Sequence, residues 1–111
     1  ILGSRLSPIL LAWAVAVVIR LATGSATVAT VTAAGILEPV AAALPPTHAA
    51  MLVLAIGAGS VFFSHVNDAG FWLIKEYFGI SVGENIKTWS LMETVLSVVA
   101  LCLVLLLSLI I

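Results

Sequence analysis

The opening apolar run of this chain is too long to be one ordinary helix. Residues 6–37 are 32 residues with a single charge, Arg20. As one straight helix they would extend about 48 Å, whereas the hydrocarbon core of a bilayer is about 30 Å thick. Gly24 weakens a helix by about 1 kcal/mol relative to alanine, and the neighbouring hydroxyls can bond backbone groups freed by unwinding. We predict two half-helices that meet near Gly24 and Ser25; the alternative is one long tilted helix with a packing face of small residues.

The composition indicates that lipid or other apolar protein surrounds most of the chain. Hydrophobic residues make up 63% of the sequence and charged residues 8%, whereas a soluble domain is about half apolar and a quarter charged. Two further apolar segments follow, at residues 48–66 and 89–111. We therefore predict an all-α, multi-pass membrane protein with about three transmembrane segments, the first one discontinuous, in a single membrane-embedded unit of residues 1–111.

The second and third segments differ in character. The second follows two prolines, which favour a helix start, and its Ala55 and Gly59 are spaced for close packing between helices inside a bundle. The third segment has 23 residues with one charge, Glu93, and is long enough to cross the core with some tilt.

Most charged residues lie in the connection 67–88. Within it, residues 71–78 are typical of a short amphipathic helix at the membrane interface, and Gly79 fits its C-cap. If each segment crosses once, Arg5, Lys75 and Lys87 share one side, which predicts a cytoplasmic 67–88 loop. A re-entrant first segment would reverse this count.

Several classes of protein lack support in the sequence. The four basic residues are scattered, so no nucleic-acid surface is expected. The common hydrolase, P-loop and redox motifs are absent, so we expect neither an enzyme nor a cofactor. A metal site is disfavoured, because His65 and Asp68 supply two ligands only and His48 lies more than four helical turns away.

Arg20 is a charged residue within an apolar run, where contact with lipid is unfavourable. A buried cation costs at least about 2.5–3.5 kcal/mol on insertion scales, so it needs a partner or a wet cavity. It is either a counter-charge for an anionic substrate or an intramembrane acid, or it reaches back to the interface.

Three further residues are candidates for proton binding. His65 and Asp68 are three apart, so they can share one helix face and carry a proton; the alternative is that they merely end a helix. Glu93 is either a buried proton-binding acid or an interfacial acid in the first turn of its helix.

Five stretches of sequence together resemble the gluconate:proton symporter (GntP) family. They read RLATGSATVA at residues 20–29, TAAG at 32–35, GS at 59–60, SHVNDAGFW at 64–72 and KTWSLMET at 87–94. Their order is similar to the C-terminal part of such a permease, over nearly the whole chain. The resemblance implies proton-coupled import of gluconate or a related sugar acid across the bacterial inner membrane, by a protein with broken helices and inverted repeats.

The resemblance also implies site residues. It places Gly24, Ser25, Ala26 and Thr27 at the substrate site, with Arg20 attracting the anion. It adds Asn67, and it favours functional roles for His65 and Asp68. Which of His65, Asp68 and Glu93 binds the proton stays open.

Family members are several times longer than this chain. We expect a piece of the C-terminal portion of a permease, which works with the remainder of that protein or as a homo-oligomer. The alternative is a small integral membrane protein that acts as an assembly or pore-forming subunit without transporting a solute.

Overall fold

The computed structural model describes residues 2–110, with side chains described from Ser7 onward, and this part of the chain is helical without strands. The helices are α1 (Leu2–Thr23), α2 (Ala26–Ala42), α3 (Pro46–Ser60), α4 (Ala69–Phe78), α5 (Val82–Asn85) and α6 (Leu91–Ile110), with a π-helical turn at Ile86–Ser90.

The helical path is interrupted at Gly24 and Ser25, where the sequence predicts the break. Gly24 has a φ of +69°, in the left-handed region that glycine tolerates. Ser25 then caps α2, because its Oγ accepts a hydrogen bond from the backbone N–H of Val28 at 3.1 Å. A single long tilted helix is therefore not what the sequence forms.

The helix α2 runs back beside α1. Its Ile36 lines one apolar depression together with Ala14 and Val15 of α1. Residues well before the break thus lie beside a residue well after it. The first apolar run is thus a helical hairpin. Its facing sides share one hydrophobic core with α3 and α6, built from residues such as Ile9, Ala33, Leu52 and Leu101.

Small residues let α3 pack closely against α1, as predicted. Ala55 and Gly59 are both buried, and a methyl group built on Gly59 would lie 2.6 Å from the carbonyl oxygen of Trp13. The predicted extent of this segment, 48–66, is wrong: α3 begins at Pro46 and ends at Ser60. The chain turns after Ser60, and Phe63 has a positive φ of 40°.

The connection between α3 and α6 contains the short helix expected there. The helix α4 ends at Gly79, whose φ of +63° makes it a left-handed C-cap. A capping box between Ser81 and Glu84 then starts α5. That α4 lies at a membrane interface stays a prediction.

One continuous helix among the described residues is long and apolar enough to cross a membrane. It runs over Val82–Ile110, 29 residues through α5, the π-helical turn and α6. It starts seven residues before the predicted segment 89–111, because the capping box begins the helix at Ser81. The other apolar helices, Ser7–Thr23, Ala26–Ala42 and Pro46–Ser60, are shorter, so the count of about three transmembrane segments stays a prediction.

The path of the chain separates the three basic residues from which a cytoplasmic 67–88 loop is predicted. Asn67 lies against Gly24 at the C-terminal end of α1, so the connection 61–90 is at that end of the bundle. Arg5 is near the opposite end of α1, and its side chain lies outside the described residues. Arg5 therefore lies at the other end of the bundle from Lys75 and Lys87, and the prediction of a cytoplasmic 67–88 loop depends on those two lysines alone.

Candidate functional site

A buried ion pair joins the end of α1 to the start of α4. Arg20 is 5% exposed, and its Nη2 donates to Oδ2 of Asp68 at 2.7 Å. Because Asp68 comes directly before α4 and caps it, its side chain has a fixed place. Arg20 thus has the partner that a buried cation requires.

Asp68 accepts three hydrogen bonds in all. Besides Arg20, the Oγ of Ser64 donates to Oδ2 at 2.5 Å and the backbone N–H of Gly70 donates to Oδ1 at 2.9 Å. Partial burial acts to raise the pKa of Asp68, but the hydrogen bonds and the guanidinium charge outweigh it and hold the pKa below its usual value. Asp68 is therefore ionised at neutral pH in this arrangement.

The π-helical turn before α6 holds Ser64 in place. Trp89 Nε1 donates to Ser64 Oγ at 3.0 Å, and the hydroxyl of the adjacent Ser90 donates to the backbone carbonyl of Ser64. Ser64 is fully buried. The start of α6 is thereby connected through Ser64 and Asp68 to Arg20, and π-helical turns are often found at functional sites.

The break itself is packed against the turn that follows α3. The amide of Asn67 donates to the carbonyl oxygen of Leu21 at 2.9 Å, and Nε2 of His65 lies 3.3 Å from the same oxygen. A methyl group on Gly24 would lie 2.1 Å from the carbonyl oxygen of Asn67. His65 and Asn67 therefore satisfy a carbonyl group that the end of α1 leaves free.

The family model described as GntP family permease matches residues 1–110. The chain belongs to the GntP permease family. The description of that family is one of permeases and not of enzymes.

Named relatives of this GntP family chain are bacterial. It is 63% identical over 108 residues to a gluconate permease of Pseudomonas aeruginosa, and 52% identical over 108 residues to a high-affinity gluconate transporter of Escherichia coli; each match covers 97% of this chain and 24% of the relative. It is 54% identical over 101 residues to the Gnt-II system L-idonate transporter of E. coli, covering 89% of this chain and 22% of the relative.

The GntP family chain thus spans about a quarter of the length of these curated relatives. That this quarter is the C-terminal one stays a prediction. No solved structure matches the chain.

The fold brings most of the predicted site residues of this GntP family chain to one end of the bundle. Gly24, His65, Asn67 and the Arg20–Asp68 pair are joined there by the contacts above. The prediction that His65 and Asp68 share a helix face is wrong, because α3 ends at Ser60 and both residues lie beyond it. Their side chains consequently bind different partners.

The N-terminal turn of α2 borders the break. Ser25 and Ala26 are partly buried, whereas Thr27 is exposed. The Oγ of Ser25 accepts a hydrogen bond from the backbone N–H of Val28 and so caps α2. The substrate-binding role of these residues and of Gly24 stays a prediction.

Glu93 is on α6, close enough to Arg20 and Asp68 to be affected by both charges. Its Oε2 is buried and has no hydrogen-bond partner among the residues that the structure describes. The backbone N–H of Leu91 already bonds to Ile86, so the helix is continuous before Glu93. Glu93 nevertheless lies in the first turn of α6 as bounded here, so both roles considered for it stay predictions.

Sequence reasoning missed the roles of Ser64, Trp89 and Ser90. Each lies inside one of the stretches that resemble the family, which was the available signal. Among the side chains that the structure describes, no three of His, Cys, Asp or Glu are grouped to hold a metal ion.

Proposed function

We propose that this chain forms the anion-binding end of a proton-coupled permease for gluconate or a related sugar acid in the bacterial inner membrane. The observation that carries the proposal is the buried Arg20 beside an interrupted helix, in a chain whose relatives are named for gluconate and idonate transport.

Arg20 suits a carboxylated substrate. A guanidinium binds a carboxylate through two parallel N–H donors, and it stays charged at every physiological pH. The Nε of Arg20 is buried and has no partner among the described residues. A sugar acid would therefore find an unused donor beside Nη2.

The break would supply the rest of the anion's environment. The N-terminal end of α2 presents backbone N–H groups and the positive end of a helix dipole, both of which favour an anion. Gly24, Ser25, Ala26 and Thr27 form this end, and Asn67 packs against it. Interrupted helices are how many transporters present backbone N–H groups to an anionic substrate.

Proton coupling is assigned to the acids near Arg20. Asp68 is its direct partner, and Glu93 has a buried oxygen free to bind a proton. His65 is close to the break and is the third candidate. In each case protonation would change the charge next to the bound anion.

The remainder of the permease, or further copies of the chain, would complete the pathway. The exposed apolar side chains on α1, α2 and α6, such as Val18, Val31 and Leu103, would face lipid or those further segments. The protein would then cross the membrane several times.

The proposal is tested by gluconate uptake in cells that express the full-length protein. Ser25→Ala and Thr27→Val should each raise the KM for gluconate about tenfold if one hydrogen bond to substrate is lost. Thr30→Val is the matched control, because Thr30 is exposed and its hydroxyl bonds only the preceding turn, at Ala26. Unchanged uptake in both site variants would refute the assignment of the site.

A further inference from the structure

The ion pair between Arg20 and Asp68 uses only part of what each side chain offers. Arg20 donates through Nη2 alone, and its buried Nε has no partner in the described part of the chain. A carboxylate bound in the usual two-point manner would take both donors. Asp68 therefore binds Nη2 of the guanidinium and leaves Nε without a partner.

The two carboxylate oxygens of Asp68 accept hydrogen bonds from different partners. Oδ1 caps α4 through the N–H of Gly70, whereas Oδ2 receives both Arg20 and Ser64. A proton on Oδ2 would leave the cap intact. The hydroxyl of Ser64 can switch from donor to acceptor and so keep the neutral carboxyl in place. Protonation would thus break the ion pair with Arg20 and leave Asp68 in place as the cap of α4.

The charges around Asp68 come from three elements. Arg20 is on α1 and Glu93 is on α6. His65, whose backbone carbonyl accepts a hydrogen bond from the N–H of Asp68, lies in the turn between α3 and α4. On α4 itself, Lys75 pairs with Glu76. With Asp68 ionised, a substrate carboxylate would be a second anion beside one guanidinium. Neutralising Asp68 removes that repulsion.

We propose that Asp68 and the carboxylate of a sugar acid are alternative partners of Arg20. A proton from the medium binds Oδ2 of Asp68, the ion pair to Nη2 breaks, and the substrate carboxylate takes Nη2 and Nε. One positive and one negative charge enter together, so the net charge of the site does not change. This inference rests on the proposed function and adds the coupling step.

The exchange makes proton and substrate favour each other. Once the substrate occupies the guanidinium, Asp68 loses its counter-ion and gains a negative neighbour, so it binds a proton more tightly. By linkage, a protonated Asp68 raises the affinity for the substrate by the same factor. Neither binds well alone, which is the requirement for symport.

The test uses the full-length protein in proteoliposomes with radiolabelled gluconate. Two readouts are compared: accumulation driven by a proton gradient, and exchange of external for internal gluconate without a gradient. Asp68→Asn keeps an oxygen for the cap and stays neutral. It should keep exchange within threefold of wild type and lose accumulation at least tenfold. Glu76→Gln, an exposed acid on α4, is the matched control and should keep both.

Several outcomes would overturn the inference. One is accumulation by Asp68→Asn at the wild-type level. Another is loss of exchange in Asp68→Asn although the variant is present in the membrane at the wild-type amount. A third is uncoupling by Glu93→Gln and not by Asp68→Asn. If the wild-type protein neither exchanges nor accumulates gluconate, the proposed function fails instead.

A second measurement does not depend on the stability of a variant in the membrane. In weakly buffered detergent solution, a pH dye should report one proton taken up for each gluconate that binds to the wild-type protein. Asp68→Asn should bind gluconate without this uptake. Proton uptake that persists in Asp68→Asn would contradict the exchange.

Discussion

Arg20 and Asp68 meet at 2.7 Å although they are 48 positions apart in the chain. The contact ties the last turn of α1 to the cap of α4, directly beside the interruption at Gly24. Because a buried cation and a helix cap share one carboxylate, the charge of Asp68 affects both the local fold and the proposed binding of an anion.

The Arg20–Asp68 contact predicts a dependence of stability on pH. The pKa of Asp68 is lower in the folded protein than its ordinary value of 3.8. Ionised Asp68 therefore stabilises the folded state above about pH 3.8, and this stabilisation is lost as the pH falls through the lower, folded pKa. Asp68→Asn lacks this contribution at every pH.

The measurement is thermal unfolding of the full-length protein and of Asp68→Asn in detergent, from pH 6 down to pH 3. The Tm difference in favour of wild type should shrink as the pH falls, since all other acids are common to both proteins. A difference that stays constant or grows toward acid pH would show that Arg20 and Asp68 are not paired in the folded protein.

Gly24→Ala should destabilise the protein strongly. The left-handed backbone costs a non-glycine residue roughly 1–2 kcal/mol, and the new methyl group would lie 2.1 Å from the carbonyl oxygen of Asn67. Asn67 would have to move and release Leu21. We expect a loss of at least about 2–3 kcal/mol, measured as a fall in Tm.

Gly57→Ala is the control for Gly24. A methyl group there would meet no atom within 4 Å, and alanine favours a helix by up to about 1 kcal/mol. Its Tm should be equal to wild type or higher. Equal Tm values for both alanine variants would mean that α1 and α2 do not break at Gly24.

Gly59→Ala tests the packing of α3 against α1. The methyl group would lie 2.6 Å from the carbonyl oxygen of Trp13 and 2.9 Å from Cβ of Ala16, so the two helices must separate. Overpacking of this kind costs about 1–3 kcal/mol. Gly57 is again the matched position, two residues away in the same helix. A Gly59→Ala protein as stable as Gly57→Ala would contradict the close approach.

Local signals predicted much of the helical structure. Gly24 and the hydroxyls beside it mark the break, and Gly79 marks the end of α4. Each depends on residues that are neighbours in sequence, so the pattern alone carries the information.

Long-range contacts were less predictable. The sequence indicated that Arg20 needs a partner, but it did not identify Asp68, because the pairing depends on how α3 and the turn after it pack against α1. The expected shared helix face of His65 and Asp68 failed for the same reason: it assumed that α3 continues past Ser60, where the chain turns instead.

The central claim is that the break at Gly24 and Ser25 faces a hydrated site for a sugar acid. The direct test is labelling of Ser25→Cys by a membrane-impermeant maleimide, in full-length protein without other cysteines, with and without gluconate. Val31→Cys, on an exposed apolar part of α2, is the control. We predict that position 25 is labelled, that gluconate slows its labelling and that glycerol does not, while position 31 stays unlabelled. A position 25 that resists the reagent, or reacts at the same rate with gluconate present, would contradict the account.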